Sequence, residues 1–257
     1  MNTVLIGWFA AACLFVGMLV MLEVGRQFGA RAFAVDHEAK NGTGPIEGAV
    51  FALLGLLMAF TFSGALGRFD ERRGRIVDEA NAVGTAWLRF DLLPDAQQGP
   101  VRSQMRAYVD ARLAAYERMR TEPRSEPDFS AAEQLGAAMW KSAVVAVQPP
   151  APPSAATLVL PALNEVLDIA SVRSAATRRH PPLIVYSMLF LLALAAALFA
   201  GYGMGVCTRR RWLHTVGFAL VTCGTIGVTL DLEYPRRGLF RVDGFDRVLA
   251  DVRAGMK

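Results

Sequence analysis

The chain has 257 residues, 53% of them hydrophobic, and a formal net charge of +4 from 27 basic and 23 acidic side chains. That apolar share excludes a disordered chain and exceeds what an ordinary water-soluble domain carries. Charge is unevenly placed, because windows 1–22, 43–66, 181–208 and 212–230 together hold one acid, Glu47, and no Lys or Arg. Such runs describe helices that cross a hydrocarbon layer about 30 Å thick, which takes about 20 apolar residues.

The first span covers about residues 3–22. It has no basic stretch ahead of it, its apolar run exceeds a secretory h-region, and the A-x-A-like site at 32–34 lies beyond Glu23, Arg26 and Arg31. It is therefore expected to be a retained helix. A polar loop ending Asn41-Gly42-Thr43-Gly44-Pro45 leads into the second span, about 46–66. The insert at 67–182 then separates two hairpins and carries most of the charge.

Within the insert, Phe69, Ile76, Ala80, Val83 and Trp87 recur at helical spacing and predict a helix over about 68–93, closed by Pro94 and the Gln97-Gln98-Gly99-Pro100 turn. Val101, Met105, Tyr108, Val109 and Tyr116 predict a second helix over 101–120 with a basic outer face. A third begins near Ser130 and stops at the prolines of 149–153, a stiff connector, and a fourth covers 154–179. The third span, about 183–206, and the fourth, about 212–230, are joined by so short a link that they form an antiparallel hairpin. The tail, 231–257, has a turn at 235–238 and a short amphipathic end.

The expected fold is thus an all-α, multi-pass integral membrane protein: a first transmembrane hairpin (1–66), a helical soluble insert (67–182), a second hairpin (183–230) and a tail (231–257). Arg68, Arg72, Arg73, Arg75, Arg173, Arg178, Arg179, Arg236, Arg237, Arg241 and Arg247 outnumber the basic residues opposite and favour a cytoplasmic insert. The compact cluster Arg209-Arg210-Arg211 alone predicts the reverse. Basic charge beside spans anchors lipid headgroups, so lipid is the expected partner and nucleic acid is not. Arg supplies nearly all of the basic charge and Ala is abundant, which resembles a GC-rich bacterial genome.

Cys13, Cys207 and Cys223 lack CxxC spacing and read as buried, inert thiols, while His37, His180 and His214 form no ligand pair. No metal, cofactor or enzyme is expected, since no Ser/His/Asp arrangement, Walker loop or paired carboxylate is in evidence. Glu79, Asn81, Asn164, Glu165 and Asp168 lie on Arg-rich helices, where solvated i,i+4 pairs are the ordinary outcome.

The second span has the most informative face. Gly48, Ala52, Gly55, Ala59, Ser63 and Gly67 form a stripe of small residues, flanked by Phe51, Met58 and Phe62. Such a stripe serves close helix packing or, alternatively and compatibly, lines a narrow oligomeric pore in which Thr61 and Ser63 offer hydroxyls. The candidate lining is Phe51, Gly55, Met58, Ala59, Phe60, Thr61, Phe62 and Ser63, and the candidate mouth charges are Arg68, Arg72, Arg73, Asp231 and Glu233. Asp231 and Glu233 offer a cation site at a mouth as one reading, and neutralisation by Arg236 and Arg237 or by solvent is the commoner outcome. No charge lies mid-membrane, which disfavours a proton-coupled pump but not a passive conduit.

The segments 51–64, 68–73 and 79–86, then Leu160-Pro161-Ala162-Leu163-Asn164-Glu165, His180-Pro181-Pro182, Gly201-Tyr202 and Asp231-Leu232-Glu233 with Pro235 and Gly238-Leu239, resemble the bacterial bestrophin-like membrane family. Bestrophins are pentameric anion channels with four membrane helices, a helical cytoplasmic portion between the second and third, and a pore lined by the second helix with Phe-containing constrictions. The resemblance implies a homo-oligomer, pentameric by analogy, that handles inorganic ions, with Phe51, Phe60 and Phe62 as constriction candidates. It does not carry over calcium gating, because Asp243, Asp246 and Asp251 are scattered rather than clustered. The alternative is a membrane-anchored structural or interaction protein whose insert binds a partner.

Overall fold

In the computed structural model, residues 3–35, 44–121, 128–177, 181–206, 212–233, 239–240 and 242–257 are described. Among them all regular structure is helical. The α-helices in chain order are α1 (Thr3–Val35), α2 (Gly44–Arg89), α3 (Asp95–Thr121), α4 (Ser130–Ala146), α5 (Pro153–Ala176), α6 (Leu183–Gly203), α7 (Trp212–Glu233) and α8 (Asp246–Gly255). Five contain stretches long and apolar enough to cross a membrane: Gly7–Ala34, Gly44–Leu92, Pro153–Ala176, Leu183–Gly203 and Trp212–Glu233. The sequence pointed to four of these regions. The additional candidate is α5.

Several boundaries differ from the sequence expectation for identifiable reasons. Helix α1 continues past residue 22 to Val35 because its first charges pair on one face, with Arg26 Nε donating to Glu23 Oε2 at 3.0 Å and Arg26 Nη2 to Glu23 Oε1 at 2.6 Å. Helix α2 runs unbroken through Gly67, joining what the sequence separates into a span and a soluble helix. A single interior glycine costs about 1 kcal/mol relative to alanine, which a long hydrogen-bonded ladder absorbs. Helix α3 starts at Asp95 and takes in Gly99 and Pro100, where a turn was expected. Proline near a helix start removes only one backbone donor, and Gln98 Nε2 ties the entry by donating to the Leu93 carbonyl at 2.9 Å.

The chain divides into two compact units. The first comprises Met1–Arg68 and His180–Tyr234, the second Phe69–Arg179 and Pro235–Lys257. In the first, α1 packs along α6 at van der Waals distance because glycines remove side chains from the crossing. A Cβ at Gly25 would lie 2.0 Å from the Leu198 carbonyl oxygen, and one at Gly29 2.2 Å from that of Tyr202. Reciprocally, a Cβ at Gly201 would lie 2.1 Å from the Leu22 carbonyl oxygen. Where lipid is as apolar as the side chains, such close contact supplies the association that hydrophobic burial gives in water. Leu14, Met18, Leu54, Leu189 and Ile226 complete this core.

In the second unit Val83, Phe90, Met105, Tyr108, Met139, Leu163, Val166 and Leu249 are buried together in one core. Helix α5 gives its apolar side, Val159, Leu163 and Val166, to that core. Cys223 is buried as expected, Cys13 is exposed because it faces away from the helices that pack on α1, and Cys207 lies outside the described residues.

Candidate functional site

The small residues of α2 have a different environment from those of α1 and α6. Gly48, Ala52, Gly55, Ala59, Ser63 and Gly67 are all exposed. A Cβ built at Gly48, Gly55 or Gly67 would meet nothing within 4 Å. The opposite side of α2 is the one its own chain covers: Leu54 and Ala65 are buried, and Phe51, Met58 and Phe62 are half-buried. At these three glycines the stripe therefore makes no close helix contact among the described residues.

The remaining lining candidates sort by neighbour. Phe51 packs edge-to-face on Phe218 of α7, with ring centroids 5.9 Å apart, so its ring is committed to the chain's own core. Phe60 is the most exposed, at 68%. The Thr61 hydroxyl donates to the Leu57 carbonyl at 2.8 Å and the Met58 carbonyl at 3.0 Å, which satisfies it within the helix. Gly55, Ala59 and Ser63 share the exposed face.

Below this face the charges are paired. Arg68 Nε donates to Glu233 Oε1 at 2.9 Å and Oε2 at 3.2 Å, and its Nη2 also bonds Oε1. Glu233 is 1% exposed and Asp231 6%, so the Asp231/Glu233 pair is an interior feature, not a solvated end. Arg236 and Arg237, the partners considered from sequence, lie outside the described residues. Arg72 reaches the Ala176 carbonyl at 3.5 Å, and the Arg73 guanidinium sits over the Phe245 ring at 4.3 Å from its centroid.

One cluster was misjudged from the sequence. Glu79, expected in a solvated pair, is fully buried in the second unit. Its Oε1 accepts from Arg112 Nε at 2.8 Å, and its Oε2 accepts from Arg173 Nη1 and, at 3.0 Å, from the Tyr116 hydroxyl. Arg173 in turn bonds Asp246 at the start of α8 and stacks 3.7 Å from the Tyr116 ring centroid. Burial alone would push the Glu79 carboxyl up, but Arg112 and Arg173 outweigh it and hold it below the ordinary carboxylate range. Sequence separations of 33 and 94 residues hid these partners. By contrast Asn164 and Asp168 form the exposed i,i+4 pair expected of them, at 2.7 Å. Among the described residues no three His, Cys, Asp or Glu side chains gather to hold a metal ion.

An all-helical chain with several helices apolar enough to cross a membrane is the class these observations define. The Bestrophin-like domain model matches residues 12–244, and the chain belongs to that family, as the sequence resemblance implied. No curated protein matches it. Among solved structures, one variant of a bacterial bestrophin homolog from Klebsiella pneumoniae is similar with a TM-score of 0.70 at 9% identity, over 94% of this chain and 95% of that one. A second variant of a bacterial bestrophin homolog from the same organism gives 0.64 at 12% identity, over 92% and 98%. A variant described as a membrane protein gives 0.60 at 12% identity, over 93% and 98%. At such identities the likeness is one of fold.

Proposed function

We propose that the chain is one subunit of a homo-oligomeric, passive ion channel of the bacterial inner membrane, with α2 lining the conduction path. The observation that carries this reading is the open small-residue face of α2. A Cβ at Gly25 or Gly29 of α1 or at Gly201 of α6 would run into a neighbouring backbone, whereas one at Gly48, Gly55 or Gly67 would meet nothing within 4 Å among the described residues. Copies arranged about a symmetry axis would bring these faces together around a narrow conduit, with Gly55, Ala59, Phe60 and Ser63 nearest it and Phe51, Met58, Thr61 and Phe62 behind. Membership of the Bestrophin-like family and the fold shared with bacterial bestrophin homologs support the same assignment. Anion selectivity and a pentamer follow by analogy with bestrophins.

In this reading four helical regions cross the membrane, α1, the first part of α2, α6 and α7, and residues 67–182 stand in water on the cytoplasmic side with 231–257 as the tail. Helix α5 is apolar enough to span, but its apolar side is buried in the second unit's core and its Arg173 is 4% exposed within the ion-pair cluster. The side so engaged is not free to face lipid, although Leu158 and Val172 stay exposed on the other. Arg68 and Glu233 pair with each other, and in this reading Arg72 and Arg73 add basic charge that attracts anions at the inner mouth.

The test is reconstitution of a size-verified oligomer into liposomes with chloride and sodium flux read in parallel. Chloride flux above empty vesicles is expected, reduced to background by Ala59→Trp, which fills the open face. No flux of either ion from a verified oligomer would refute the proposal and leave the anchored interaction protein as the surviving alternative.

A further inference from the structure

The first unit contains a partly open cavity of about 430 Å³ away from the small-residue stripe. Leu22 of α1, the first turns of α2 and α7, and the end of α6 enclose it, with Phe51, Met204 and Phe218 supplying most of the apolar wall. Its polar groups are the Glu47 carboxylate, the His214 imidazole and the Thr215 hydroxyl.

Glu47 is the unusual member. It is the single acid in the otherwise uncharged window 43–66. Its Oε1 is buried and accepts no hydrogen bond from the described residues. Glu47 as a residue is only half-buried, but a carboxylate oxygen withdrawn from water without a donor carries a cost that proteins ordinarily avoid. Position in the first turn of α2 favours a negative group through the helix dipole, but supplies only part of the compensation. Space for the side chain depends on Gly203, where a Cβ would come within 3.0 Å of Glu47 Oε2.

The structure assigns this cavity, we infer, to a small organic ammonium: a positively charged N–H donor carrying a short alkyl or aryl group. A cation in the cavity compensates the Glu47 carboxylate as a whole, since its charge is shared by both oxygens. The Phe51 and Phe218 rings, packed edge-to-face 5.9 Å apart, form an aromatic part of the same wall. Leu22, Ala200 and Met204 suit the apolar group. A bare metal cation fits less well, because hard ions require several oxygen ligands and the wall offers one carboxylate and one hydroxyl. The volume lies within the ordinary range of small-molecule sites, roughly 300–1,000 Å³.

The same ammonium chemistry can come from a free amine or from an ethanolamine lipid headgroup, and one experiment separates them. The full chain is purified in a maltoside detergent and titrated by calorimetry with phenethylammonium, with its neutral counterpart 2-phenylethanol and with sodium. Saturable binding of the ammonium alone is expected, weakened about tenfold or more in Glu47→Gln because a hydrogen bond to a charged group is lost. Binding of the alcohol as tight as that of the ammonium, no saturable ammonium binding, or unchanged affinity in a folded Glu47→Gln chain would each overturn the assignment. The alcohol comparison needs no variant, so it decides even if the substitution fails to fold. In nanodiscs, a fall in ammonium affinity as phosphatidylethanolamine replaces phosphatidylglycerol identifies the headgroup as the natural occupant. Unchanged affinity supports a free amine at the same site.

Discussion

Glu79→Gln is the substitution whose consequence the structure specifies most fully. The wild-type cluster is neutral, with Arg112 and Arg173 balanced by Glu79 and Asp246, and the first three side chains are 3%, 4% and 1% exposed respectively. Glutamine keeps the volume and one acceptor but removes the charge, so two buried guanidinium groups are left with Asp246 alone. Breaking a buried pair in this way costs about 3–5 kcal/mol, mostly as the penalty for the uncompensated charge. At about 2–4 °C per kcal/mol for a chain of this size, the melting midpoint should fall by roughly 10 °C. Circular dichroism of the full chain in detergent, at one fixed scan rate, provides the comparison. The pH dependence has a definite sign: the folded Glu79 carboxyl lies below its ordinary value, so its stabilisation is complete above that value and is lost as pH falls through the folded one. The wild-type and Glu79→Gln midpoints should therefore converge on acidification. A neutral-pH difference under about 2 °C, or parallel curves down to acid, would refute the claim that this carboxylate holds the two arginines in place.

Two further substitutions test the packing. Gly201→Ala places a methyl 2.1 Å from the Leu22 carbonyl oxygen, so α1 and α6 must separate, and a loss of about 1–3 kcal/mol is expected in thermal melts. Gly55→Ala, with nothing within 4 Å, should leave the melt unchanged or raise it through helix propensity, and equal destabilisation by the two would contradict the contrast between these faces. Tyr108 is 2% exposed, yet its hydroxyl is buried without a hydrogen-bond partner. Tyr108→Phe keeps the ring and removes that cost, so a midpoint equal to or a few degrees above wild type is expected, and a clear drop would mean that the hydroxyl is satisfied in solution.

What was legible in the sequence is what depends on local composition. The apolar runs marked the regions where helices α1, α2, α6 and α7 lie, and Phe69-to-Trp87 spacing correctly indicated a helix. Continuity was harder to see. The change from apolar to charged residues near Gly67 mimics a boundary although the backbone ladder of α2 passes through it. Partners distant in sequence were not legible at all: nothing near Glu79 announces Arg112 or Arg173, and nothing near Glu47 announces His214 on another helix around the same cavity.

Small residues illustrate the limit most directly. Gly25, Gly201 and Gly55 look alike in composition and in their spacing from other small residues, yet the first two are filled by a partner backbone and the third is open. A missing side chain permits an approach without saying what approaches. The distinction matters because an approach already made within the chain contributes to stability, whereas one not yet made is available to a second copy. In a solvent as apolar as the helices themselves, an open small-residue face has no hydrophobic cost to signal that it is unfinished. Its significance is therefore read from contrast with the glycines that are filled, and the Ala59→Trp flux measurement turns that contrast into a functional test.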